Sequence, residues 1–86
     1  MALGRLQIAF GRNVRAYRTG LGVSQEQFAS DSGMHRTYLG AVERGERNLT
    51  MQTIEQYCEI WGLEPLDMLN PSFKPWQDIE VDGTLT

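Results

Sequence analysis

The sequence predicts an all-α domain of five helices followed by a C-terminal extended arm. Three observations predict it. Apolar residues recur at helical spacing up to residue 70, glycines close the runs, and beyond Asn70-Pro71 the pattern turns to prolines and a short alternating stretch. The boundary divides the chain into a domain at 1–70 and an extension at 71–86. At 86 residues there is room for one small domain with one modest core, a size that often gains stability from a partner subunit.

Helix 1 is expected from Gly4 to Gly20. Leu6, Phe10, Val14, Tyr17 and Leu21 form one apolar stripe, while Arg12, Arg15 and Thr19 fall off it. Gly20 and Gly22 are stop signals, and Gly11 weakens the middle by roughly 1 kcal/mol relative to alanine. Helix 2 opens at Ser24, and Ser24-x-x-Gln27 fits a capping box. Phe28 and Ala29 point inward. Asp31, Ser32 and Gly33 end the helix, with Gly33 supplying the positive φ of a tight turn. Met34 packs back.

Helix 3 is expected from His35 to Arg44, with Leu39 and Val42 facing the core and Gly45 as its stop. A polar loop, Glu46 to Leu49, follows. Thr50 caps helix 4, Met51 to Trp61, whose apolar face is Ile54, Tyr57, Cys58 and Trp61; Gly62 stops it. Pro65 begins a short helix 5 through Leu69, since proline is tolerated in a first turn. The extension holds Pro71, Phe73, Pro75 and Trp76, then Ile79 and Val81 in alternation. It reads equally as an arm or strand needing a partner, or as a tail pinned to its own domain by Phe73 and Trp76.

The net charge of −3 divides unevenly. Residues 1–50 carry seven arginines against Glu26, Asp31, Glu43 and Glu46; residues 51–86 carry Lys74 against seven carboxylates. A basic half beside an acidic half suits a face on phosphate with the other half turned away, and equally an unevenly charged solvated surface. No apolar run approaches the ~18 residues of a membrane span, and the arginine-studded N-terminus does not read as a secretory signal. The lone Cys58 can form neither an internal disulfide nor a zinc site, so a reducing, cytoplasmic setting is expected.

Residues 24–45 carry the functional signal. Two short helices crossing steeply need a small residue at the crossing and a glycine in the turn; Ala29 and Gly33 supply them, with Leu39 and Val42 packing behind. The second helix presents His35, Arg36, Thr37 and Tyr38 as a polar cluster, suited to the DNA major groove, where a helix fits and base edges can be read.

With these residues in hand, the sequence resembles the lambda-repressor-like (Cro/C1-type, Xre) helix-turn-helix family. The likeness runs from Val14-Arg15-x-x-Arg18 through GVSQEQFA and HRTYLGAVERGERN to TIEQYCEIWGLEP, roughly residues 6–69. It implies a five-helix, lambda-repressor-like DNA-binding bundle that regulates transcription. The segment GMHRTYLGAVERGERN is most similar to the small controller proteins of restriction–modification systems. Those are dimers on paired palindromic sites that time endonuclease expression. The resemblance also implies a salt bridge between Arg18 and Glu43, joining helix 1 to helix 3 and positioning the recognition helix.

Roles follow residue by residue. Gln25 sits at the start of helix 2, where its amide and the free backbone N–H groups can hold a phosphate, against the plainer reading of a cap. Arg36 can bond guanine O6 and N7 together, and the Thr37 methyl can meet a thymine methyl. Tyr38 either packs on DNA or belongs to the core. His35 contacts DNA backbone or caps helix 3, and a lone histidine is no metal site. Gly40, where the family often has serine or another polar residue, permits close backbone approach to DNA. Arg47 and Asn48 in the loop are placed for phosphate contact, with Arg44 and Arg15 weaker candidates of the same kind.

Ile60 is the apolar residue that the inward face of helix 4 does not use. With Leu66 and Leu69 nearby it predicts a homodimer interface, which in repressors of this kind spaces the recognition helices by about 34 Å, one DNA turn. Partners are therefore double-stranded DNA, a second copy, and possible protein contacts through 71–86. The competing function is an antitoxin-type regulator whose C-terminal arm binds a protein. An enzyme is not expected: one histidine supplies no Ser/His/Asp set, and no metal cluster, cofactor motif or phosphate-cradling glycine loop is visible.

Overall fold

The computed structural model describes residues 4–74, which form five helices and no strand. These are α1 (Arg5–Leu21), α2 (Gln25–Ser32), α3 (Arg36–Glu43), α4 (Met51–Trp61) and α5 (Pro65–Met68). The calls on Trp76, Ile79 and Val81 lie outside the described residues.

Helix ends follow local chemistry. Ser24 Oγ accepts from Gln27 N at 3.1 Å and Thr50 Oγ1 from Thr53 N at 3.0 Å. The capping box at Ser24 is only half built, because the Gln27 amide instead donates to Asp31 Oδ1 at 2.8 Å. An i,i+4 partner on the helix surface has outcompeted the reach back to the cap. Gly20 lies inside α1, and Gly22 ends it in the left-handed conformation with φ 76°. His35 and Arg44 flank α3 as its caps, outside the helix itself, and Leu69 likewise caps α5.

The core unites Phe10 and Val14 of α1, Phe28 and Ala29 of α2, Leu39 and Val42 of α3, Ile54 and Cys58 of α4, and Met68 of α5. The stripe on α1 is shorter than its periodicity suggests. Leu6 is 56 % exposed and Leu21 also reaches solvent, since the helix overhangs its partners at both ends. Trp61 ties α4 to α2 and α1. Its ring stacks 5.3 Å from Phe28 and 6.3 Å from Phe10, and its Nε1–H donates to buried Ser32 Oγ at 2.8 Å. That bond satisfies both polar groups of a pair that would otherwise be costly to bury.

Two positions on α1 set its contacts with other elements. A Cβ at Gly11 would overlap Val42 O and stand 2.9 Å from Glu43 O, so α1 meets the end of α3 backbone to backbone. Glycine here is a packing requirement, where its helix propensity alone marks only a weakness. Buried Asn13 donates through Nδ2 to Met68 O and Asn70 O, each at 2.9 Å, fastening the end of α5 to α1.

Candidate nucleic-acid interface

The turn between α2 and α3 is short because Gly33 adopts φ 73°, which lets Met34 N return to Ala29 O at 2.9 Å. Ala29 and Leu39 are fully buried where the helices pack, so no large side chain separates them. α3 thereby leaves the turn with its N-terminal end outward. His35, Arg36 and Thr37 all lie exposed there, and the His35 side chain makes no capping hydrogen bond. Among the described residues Arg36 has no ion-pair partner.

The other end of α3 is anchored. Arg18 Nε and Nη2 bond Glu43 Oε2 and Oε1 at 2.6 and 3.1 Å, a bidentate pair. The Glu43 side chain is only 3 % exposed. Arg18 Nη1 also donates to Val23 O at 3.0 Å, holding the α1–α2 connection. Gln25 completes the set: its Nε2 donates to Glu43 Oε1 at 2.9 Å. One carboxylate thus joins α1, α2 and α3. The Gln25 bond uses one of the two N–H donors of its amide, leaving the second, with the free backbone N–H groups of the first turn of α2, for an anion.

Tyr38 turns sideways. It is half-buried, 6.5 Å from the ring of Tyr57, and the Arg47 guanidinium lies 4.9 Å over its face. It belongs both to the core margin and to the outer surface. Tyr57 in turn stacks 5.6 Å from Trp61, so an aromatic series leads from the core to Arg47. Burial, and then the neighbouring Tyr38, raise the Tyr57 pKa above its ordinary value.

Arg47 and Asn48 are exposed on the α3–α4 loop. Gln7, which the sequence does not single out, holds that loop: its Nε2 donates to Gly45 O at 3.3 Å and Arg47 O at 3.2 Å. Arg44 pairs with Glu46 at 3.0 Å, an open surface contact of little energetic weight. Gly40 corrects its sequence reading. It is buried beneath the side chains of Arg44 and Gln25, so its backbone is covered.

Of the three residues expected at a subunit interface, Ile60 and Leu66 project into solvent at 57 % and 74 % exposure. Leu69 instead packs against the core. No helix of the described residues is long and apolar enough to cross a membrane.

A glycine turn between two short helices, an anchored α3 and an exposed polar N-terminal end define a helix-turn-helix DNA-binding domain. A helix-turn-helix domain profile matches residues 9–70. The chain is 36 % identical over 66 residues to control protein C.BamHI of Bacillus amyloliquefaciens, covering 76 % of this chain and 82 % of that one. It is 60 % identical over 42 residues to control protein C.SmaI of Serratia marcescens, covering 49 % of this chain and only half of that relative's length. The solved restriction–modification controller protein C.AhdI of Aeromonas hydrophila superposes with a TM-score of 0.62 at 39 % identity, over 74 % of this chain and 96 % of that one. The chain belongs to the helix-turn-helix domain family and, within it, to the group of the control proteins.

Proposed function

We propose that this protein is a restriction–modification controller: a homodimeric, sequence-specific transcriptional regulator acting on a palindromic operator. The exposed N-terminal end of an α3 whose other end is locked through Glu43 carries this reading. Locking one end lets Arg36 and Thr37 enter the major groove in a fixed register, with Arg36 on a guanine and Thr37 on a thymine methyl. His35, the first turn of α2 at Gln25, and Arg47 with Asn48 contact the phosphates on either side. Tyr38 contributes its outer edge and the platform on which Arg47 rests. The names of its controller relatives support the class. Exposed Ile60 and Leu66 support the dimer.

Selection of bound duplexes from a random pool tests this. The expected product is an inverted repeat whose half-sites lie about one helical turn apart, with a guanine at a fixed position in each. Enrichment of no motif, or of a single unrepeated half-site, overturns the dimeric reading. Sedimentation adds a direct check: Ile60→Asp together with Leu66→Asp should convert dimer to monomer.

A further inference from the structure

Gly40 is the one glycine inside α3, and neither its backbone nor its packing requires glycine. Its φ lies outside the left-handed region that Gly22, Gly33, Gly45 and Gly62 occupy. Beyond its own helix backbone, a Cβ there would come within 4 Å of just two atoms, Arg44 Nη1 at 3.2 Å and Gln25 Nε2 at 4.0 Å. Both are the ends of flexible side chains. Gly11 differs, since a Cβ there would strike backbone carbonyls. Glycine weakens a helix interior, and at position 40 the fold gains nothing in return. What Gly40 provides is open space above α3.

Two donor groups converge on that space. Arg36, Gly40 and Arg44 stand four residues apart on one row of α3. Helical side chains lean toward the preceding turn, so the Arg44 guanidinium lies back over Gly40, about 6 Å along the axis from Arg36. Its Nε donates to Glu46 Oε1 at 3.0 Å, and its terminal nitrogens have no hydrogen-bond partner among the described residues. From α2, the Gln25 amide brings the N–H that Glu43 does not take.

Around these donors is a recess of about 210 Å³ lined by Arg15, Arg18, Gln25, Gly40, Glu43 and Arg44. Three guanidinium groups there face one carboxylate, whose two oxygens are already bonded by Arg18 and Gln25. Arg15 is exposed and without an ion pair among the described residues. The recess therefore carries surplus positive charge and spare N–H donors, the chemistry of an anion seat. It lies on the same row of α3 as Arg36, so the anion it meets in a helix-turn-helix complex is a DNA phosphate.

We propose that Gly40 is a positioning residue for DNA binding: the side chain it lacks leaves room for the Arg44 guanidinium to lie along α3, where Arg44, with Arg15 and Gln25, closes on one backbone phosphate of the duplex. This rests on the DNA-binding reading above and adds a contact from the last turn of α3. The bond to Glu46 takes only Nε, so it need not break for the terminal nitrogens to bind. A Cβ at position 40 pushes the guanidinium off the recess and weakens the contact without changing any charge.

Binding to a random-sequence duplex, followed from about 50 to about 200 mM salt, tests this. Arg44→Ala should weaken binding roughly eight-fold at about 0.1 M salt and lower the salt slope by about one contact. Gly40→Ala should weaken it about three-fold, although it raises the melting temperature by about 4 °C. In the Arg44→Ala background, Gly40→Ala should change affinity by no more than about 1.5-fold. Equal losses from Gly40→Ala in both backgrounds overturn the proposal, because the new methyl then acts on DNA directly. So does undiminished affinity for Gly40→Ala alone. A lowered melting temperature for Gly40→Ala overturns it without any DNA, since the fold then requires the glycine. A parent chain that binds no duplex overturns the DNA-binding reading itself, a result separable from the others because they compare variants with a parent that binds.

Discussion

Gln25, the first residue of α2, donates its side-chain amide to Glu43, the last residue of α3, at 2.9 Å. The same carboxylate receives two bonds from Arg18 of α1. The angle of the recognition helix is therefore held at a single buried acid that three elements share.

Removing that acid leaves the Arg18 guanidinium largely buried without a counter-ion. Glu43→Ala should cost about 3–5 kcal/mol in urea unfolding, whereas Gln25→Ala should cost about 1 kcal/mol. A loss below 1 kcal/mol for Glu43→Ala would mean that the pair is hydrated in solution.

Gly11 gives a prediction of opposite sign from helix propensity. Alanine inside a helix ordinarily adds up to about 1 kcal/mol over glycine. Here the new methyl meets the carbonyls of Val42 and Glu43, which belong to backbone and cannot swing away. Gly11→Ala should lower stability by about 1–3 kcal/mol. A raised melting temperature would show that α1 and α3 stand further apart.

Arg36 and Arg47 separate base readout from phosphate contact. Arg36→Ala should cost about 1–3 kcal/mol on the selected operator and relax preference at one base position. Arg47→Ala should weaken all duplexes alike and lower the salt slope by about one contact. Identical, sequence-independent losses from both would exclude direct readout by Arg36.

Gln7 acts on the same loop from behind. Gln7→Ala frees the carbonyls of Gly45 and Arg47 and should weaken operator binding several-fold at unchanged base preference. Gln7→Asn, one methylene short of both carbonyls, should fail to restore binding. Affinity equal to that of the parent protein would show that the loop is held by other contacts.

Cys58 gives a pH dependence. Burial, and then the charge of Glu64, push its thiol up from 9.0 to about 11. Between those values the unfolded chain releases a proton that the folded chain keeps, so stability falls as pH rises from 9 toward 11 and is unaffected by this group below 9. Denaturant melts should show this slope, and Cys58→Ala should flatten it from a lower starting stability. An equal slope in the variant would assign the loss to other groups.

Much of the fold was legible in the sequence because it is written locally. The α4 boundaries, the caps at Ser24 and Thr50, the proline start of α5 and the glycine turn at Gly33 each depend on neighbours within a few residues. The half-built capping box shows the limit even there, since Gln27 had two local partners and took the surface one. The site was legible in part: Arg36 and Thr37 stand at the outward start of α3, while the positions of Tyr38 and Leu69 depend on how α4 and α5 pack. Periodicity assigns an inward face but not how far a neighbouring helix covers it, which is why Leu6 and Leu21 came out exposed.

By itself, then, the sequence determined five helices, their order, the turn at Gly33 and the basic segment that presents α3. These follow from spacing, caps and charge, which act over one or two turns of chain. Only the tertiary structure decided which polar side chains hold the recognition unit in place. Gln25 reaches Glu43 over 18 residues, Trp61 reaches Ser32 over 29, Gln7 reaches Gly45 over 38, and Asn13 reaches Met68 over 55. A side-chain amide or indole N–H carries no pattern in the sequence that names its acceptor. The acceptor exists only once distant backbone carbonyls and side chains are buried beside it and need a partner.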